Sequence, residues 1–125
     1  MGCRYLEWFD QYDRTAVELP TNGCMLDGVR VVNSDFLTWE PDRQYDLVLC
    51  LQVLEHIPDP TAFARKLFEC GRVVIVSVPY RWEAGACSEH IHDPVDESKL
   101  RAWTERDPVE SDVVDSRFVC AYCRL

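Results

Sequence analysis

The stretch Tyr45-Asp-Leu-Val-Leu-Cys-Leu-Gln-Val-Leu-Glu-His-Ile-Pro-Asp-Pro60 decides how this chain folds. After Asp46 it is apolar without alternation through Leu51, as expected of a parallel strand buried on both faces. Pro58-Asp59-Pro60 marks a turn, and Pro60 with Thr61 opens a helix whose apolar positions are Phe63, Leu67 and Phe68. Gly71 ends that helix. Arg72-Val-Val-Ile-Val-Ser-Val78 then forms the clearest strand of the chain, stopped by Pro79. The order strand, helix, strand predicts a parallel pair joined by a crossover.

Upstream, Tyr5, Trp8 and Phe9 stand at i, i+3, i+4 and predict a short helical turn. Thr15–Leu19 is a brief apolar run closed by Pro20 and the turn cluster Thr21-Asn22-Gly23. Val29–Asn33 is a second, β-branched run ended by Ser34-Asp35. Downstream, residues 80–93 predict a loop and Asp96–Glu105 a helix with Leu100 and Trp103 inward. Asp112–Asp115 and Arg117–Cys123 predict a terminal antiparallel pair. The pattern predicts one α/β domain over residues 1–125, with a mostly parallel sheet and an antiparallel strand pair at its C-terminus. Ligands of such sheets bind at the carboxyl ends of the strands. That rule singles out Glu18, then Asp35-Phe36, then Leu51-Gln52 with Glu55-His56, then Pro79-Tyr80.

Composition bounds the partners. The chain has 125 residues, 47% of them hydrophobic and 28% charged, which is ordinary for a folded globular domain. Its formal net charge of −9 argues against a nucleic-acid partner, whose phosphates must be neutralised by Lys and Arg. No apolar run approaches the ~20 residues that span a bilayer, and the N-terminus does not read as a signal peptide, so a cytoplasmic location without membrane contact is expected. Seven cysteines, an odd number, fit a reducing compartment. Cys120 and Cys123 fall on a predicted strand, where i and i+3 face opposite ways, and read as ordinary thiols rather than a redox or zinc pair.

The strand-end acids suggest a nucleoside. Glu18 can accept both hydroxyls of a ribose, while Asp35 can take an adenine amino group with Phe36 covering the ring. Together with YDLVLCLQVLEHIPDP, VRVVNSDF and GRVVIVSVP, these residues resemble the class I S-adenosylmethionine-dependent methyltransferases, in particular the ubiquinone-pathway O-methyltransferase branch. The resemblance covers roughly Arg14 to Trp103. It implies a Rossmann-like fold, S-adenosylmethionine as cofactor and a small-molecule methyl acceptor. By position it implies Glu18 on the ribose, Asp35 and Phe36 on the adenine, and Leu51 and Gln52 beside the methionine part. Gly2 resembles the tail of the family's glycine-rich loop.

The same resemblance makes Glu55 and His56 the candidate catalytic pair, with His56 as general base or polar lining of the acceptor pocket. Some relatives bind a divalent metal through Glu-x-x-Glu-His. Here Gln52, a poorer ligand for a hard cation, stands first; His90 and His92 in SEHIHDP could chelate, but a short surface loop explains them equally well, and no metal is expected. The family normally begins with a strand leading into Gly-x-Gly, which this sequence lacks, so its fold reads as N-terminally truncated. A non-catalytic binding or scaffold module, or an inactive fragment that has lost cofactor binding, is therefore an alternative. So is a homodimer that covers the sheet edges left open. A nicotinamide-dependent enzyme requires the same missing loop and is weaker.

Overall fold

A computed structural model describes residues 2–19 and 26–124. The predicted turn at Pro20–Gly23 and the thiol of Cys24 lie outside the described residues. The chain divides into two compact units, residues 1–40 and 41–125.

In the first unit a 3₁₀ helix, Gly2–Phe9, precedes strand β1 (Arg14–Glu18), and β2 (Val29–Asn33) lies parallel to β1. The predicted helical turn forms, in the tighter 3₁₀ winding. The register pairs Glu18 with Asn33, so both strands end at one level. The Ser34 amide continues the ladder by donating to the Glu18 carbonyl at 3.0 Å. Arg14 ties the helix to the strands: its guanidinium donates to the carbonyls of Leu6 at 3.0 Å and Asp27 at 3.1 Å.

The second unit carries four strands in the order β3-β4-β6-β5. They are β3 (Tyr45–Leu51), β4 (Gly71–Pro79), β5 (Glu110–Val114) and β6 (Arg117–Cys123). β3 and β4 are parallel, whereas β6 runs antiparallel to both β4 and β5. The expected α/β class is met, as is the C-terminal antiparallel pair. β3 differs from expectation in burial: most of its residues are half-buried, and among the described residues its only ladder is to β4. β1 likewise is laddered only to β2 among the described residues.

Helix α1 (Pro60–Cys70) is the predicted crossover. Asp59 caps it, accepting from the Ala62 amide at 3.0 Å, and Pro60 occupies the first turn, where its missing N–H is harmless. Phe63, Ala64, Leu67 and Phe68 form its buried face, and Phe68 meets Tyr122 of β6 edge-on at 5.3 Å. Helix α2 (Glu97–Thr104) is capped by Asp96, which accepts from the Lys99 amide at 2.9 Å, and it buries Leu100 and Trp103. Cys120 is buried and Cys123 exposed, the opposite facing that a strand imposes.

Candidate active site

At the carboxyl end of β3 the backbone departs from regular geometry. Leu51 is the last laddered residue, opposite Ser77. Gln52 then turns into the left-handed region at φ 58°, a conformation that disfavours residues with a Cβ. Two bonds hold it there. Its amide donates to the Ser77 carbonyl at 2.9 Å, and its side-chain Nε2 donates to Ser77 Oγ at 3.1 Å. The sharp turn leads into a 3₁₀ helix, Leu54–His56, rather than a longer helix.

Glu55 lies on this turn, fully buried, and neither carboxylate oxygen has a hydrogen-bond partner among the described residues. Burial pushes its carboxyl above the usual range. His56 Nε2 stands 3.7 Å from Glu55 Oε1, and His90 Nε2 stands 4.0 Å from the same oxygen. The two imidazoles meet edge-on with centroids 4.8 Å apart.

His90 is brought in by the 80–93 loop, which three bonds fasten to residues 55–57. The Ile91 amide donates to the Glu55 carbonyl at 3.0 Å. His56 Nδ1 donates to the Glu89 carbonyl at 3.0 Å, and His92 Nε2 donates to the Ile57 carbonyl at 2.7 Å. A carbonyl only accepts, so the contact to Glu89 places a proton on His56 Nδ1, and in the neutral ring the lone pair is on Nε2. Glu55, His56 and His90 thus face one another with ligand atoms all within 4.8 Å.

This donor set fits a divalent first-row ion: one carboxylate and two imidazoles, with His56 still 35% exposed on the open side. The buried, unpartnered Glu55 carboxylate is the observation that supports the fit. The SEHIHDP run offers His90 and His92 as possible chelators, and the structure brings His90, 35 residues after Glu55, to the set while His92 Nε2 is bonded to the Ile57 carbonyl. Spacing along the chain does not distinguish the two.

In the first unit, Glu18 ends β1 half-buried and Asp35 follows β2 exposed. Asp35 has a local role. Its Oδ1 accepts from the Leu37 amide at 2.9 Å, and its carbonyl accepts from the Thr38 and Trp39 amides. Phe36 is half-buried and tilted against Trp39, centroids 6.1 Å apart. Gly2 opens the N-terminal 3₁₀ helix.

A model of the methyltransferase domain matches residues 2–111. The chain belongs to the methyltransferase-domain family. Over 39 residues it is 41% identical to the ubiquinone biosynthesis O-methyltransferases of Pseudomonas fluorescens strains SBW25 and Pf0-1, a segment that is 31% of this chain and 17% of each relative. Among solved structures it is similar to PigF with SAH, with a TM-score of 0.67 at 12% identity over 96% of this chain and 51% of that one. It is also similar to the N-terminal domain of EvdMO1 with SAH bound, with a TM-score of 0.51 at 14% identity over 78% and 55%. The methyltransferase fold is thus established, on a chain spanning about half the length of those structures. No helix among the described residues is long and apolar enough to cross a membrane.

Proposed function

We propose that this methyltransferase uses S-adenosylmethionine to methylate a small-molecule acceptor. The carrying observation is the family match over residues 2–111, which runs through both units and favours reading 1–125 as one domain. SAH, the demethylated product of that cofactor, is bound in the solved relatives. Residues suited to the nucleoside stand at the strand ends: Glu18 for the ribose hydroxyls, Asp35 for the adenine amino group, Phe36 against the ring. Leu51, Gln52 and Gly2 are assigned to the methionine part.

Transfer of a methyl group from a sulfonium is an in-line displacement, so orientation and exclusion of water supply most of the rate. A hydroxyl acceptor must also lose its proton. His56, with a free lone pair on Nε2 and partial exposure, is assigned to receive it, with the buried Glu55 carboxylate stabilising the imidazolium formed. Were a divalent ion held by Glu55, His56 and His90, His56 Nε2 would be a ligand rather than the base, and the ion would itself lower the pKa of an acceptor hydroxyl.

The −9 charge favours a small acceptor over a nucleic acid and a cytoplasmic location suits the odd thiol count. Among the described residues β1 and β3 each have a ladder on one side, which favours a homodimer over their edges. Calorimetric titration with S-adenosylhomocysteine tests the cofactor assignment. Saturable binding that weakens in Glu18→Ala supports it. No heat at millimolar ligand from folded protein refutes it and favours the non-catalytic reading.

A further inference from the structure

Asp93 is not among the residues that face the open side of the cluster, yet it is bonded to one that does. Its Oδ2 lies 2.7 Å from His90 Nδ1, with the His90 side chain 7% exposed and that of Asp93 1%. The other oxygen, Oδ1, is buried without a hydrogen-bond partner among the described residues. Trp82 lies along the His90 ring, centroids 5.4 Å apart and planes 33° from parallel, and limits its rotation.

We infer that Asp93 is a positioning residue: it keeps the His90 proton on Nδ1, so that Nε2 presents its lone pair beside Glu55 and His56 to a divalent metal ion. The inference rests on the donor-set reading of those three residues. An ionised carboxylate only accepts, so the 2.7 Å contact requires the N–H on Nδ1. His56 is set the same way by the Glu89 carbonyl. In their neutral forms both imidazoles thus carry their protons on Nδ1, away from Glu55, and the two Nε2 atoms face its carboxyl group.

Burial points to the same occupant. Both carboxyl oxygens of Glu55 and Oδ1 of Asp93 are buried without a hydrogen-bond partner among the described residues, which is costly unless compensated. A cation in the cluster supplies the missing partner of Glu55. A carboxylate behind a ligating imidazole fixes the ring and makes it a stronger donor, and loss of such a partner typically weakens metal affinity by ~10–100-fold.

The experiment has two independent arms. In metal-free wild-type protein, ¹⁵N–¹H correlation of the histidine side chains is expected to show His90 with Nδ1 protonated, and Asp93→Asn to shift it toward the other tautomer. A wild-type His90 protonated on Nε2 alone overturns the inference. The second arm titrates Mn²⁺ alone, followed by loss of the free-ion electron-spin signal; Mn²⁺ is chosen because it has little preference for the seven thiols. Wild type is expected to bind one ion, Glu55→Gln to lose it, and Asp93→Asn to bind ~10–100-fold more weakly with an unchanged melting midpoint. Asp93→Glu, which keeps a carboxylate, is expected to recover part of the loss. If wild type binds, Glu55→Gln does not, and Asp93→Asn binds like wild type, the role of Asp93 is refuted and the donor set stands. If wild type does not bind at millimolar Mn²⁺, the donor set fails and the inference with it.

Discussion

The backbone N–H of Ile91 donates to the carbonyl oxygen of Glu55 at 3.0 Å, and through this bond a loop becomes part of the candidate active site. Ile91 itself is 56% exposed, so side-chain burial does not hold it there. Its amide is expected to exchange with solvent far more slowly than those of exposed residues 83–85 in the same loop. Hydrogen exchange read by mass spectrometry or NMR checks this. Ile91→Pro, which removes the N–H, is expected to speed exchange across 87–93 and to separate His90 from Glu55.

Much of the second unit is legible in the chain because its signals are local. The apolar run of Tyr45–Leu51, the Asp59-Pro60 start of α1 and the break at Gly71 each act within a few residues, and strand and helix form there as read. Glu55 and His56 are legible as a strand-end pair for the same reason. His90 and His92 are legible only as possible chelators; which of them reaches Glu55, and the contact to Asp93, are not, because residues 80–93 have no periodicity and are fastened to backbone carbonyls of Glu55 and Ile57 that no side-chain pattern encodes. The half-burial of β3 is equally hidden: an apolar strand looks the same whether one ladder or two flank it.

Gly71 serves two neighbours at once, ending α1 and opening β4 opposite Tyr45. Its φ of −131° suits any residue, so the constraint is space. A Cβ there would come within 2.6 Å of Val48 Cγ2, and Val48 would have to shift within the β3 face. Gly71→Ala is therefore expected to destabilise by about 1–3 kcal/mol. Urea unfolding of the two proteins measures this directly, with an unchanged slope marking a native-state effect.

Arg65 on α1 forms a two-pronged pair with Glu105, Nε to Oε1 at 2.6 Å and Nη2 to Oε2 at 3.0 Å. Hydrogen bonding to Arg65 holds the Glu105 carboxyl below its usual range. A carboxylate whose folded pKa is depressed stabilises above its unfolded value, near ~4.3, and that contribution disappears as pH falls through the folded value. Arg65→Ala is thus expected to lower the melting midpoint slightly at pH 6 and to converge with wild type on acidification below pH ~4. Both side chains are largely exposed, so the effect is small and shrinks further in 1 M salt. Midpoints that differ equally at pH 6 and pH 3 would rule out the ion pair as their cause.

Asp35 combines a turn with its proposed contact to adenine, and the two roles separate by substitution. Its Oδ1 already accepts from the Leu37 amide at 2.9 Å, which leaves Oδ2 as the oxygen for a ligand. Asparagine keeps an acceptor for Leu37 but puts an amino group where Oδ2 stood, facing the amino group of the adenine. Asp35→Asn is accordingly expected to retain the wild-type melting midpoint while weakening S-adenosylhomocysteine binding about tenfold, the loss of roughly 1.4 kcal/mol that one polar contact accounts for. Asp35→Ala is expected to lose the turn bond as well, with stability reduced by about 0.5–1.5 kcal/mol in addition to weaker binding. Calorimetry and thermal unfolding on the two variants distinguish the roles. Equal affinity in wild type and Asp35→Asn would reduce Asp35 to a turn residue and remove it from the cofactor site.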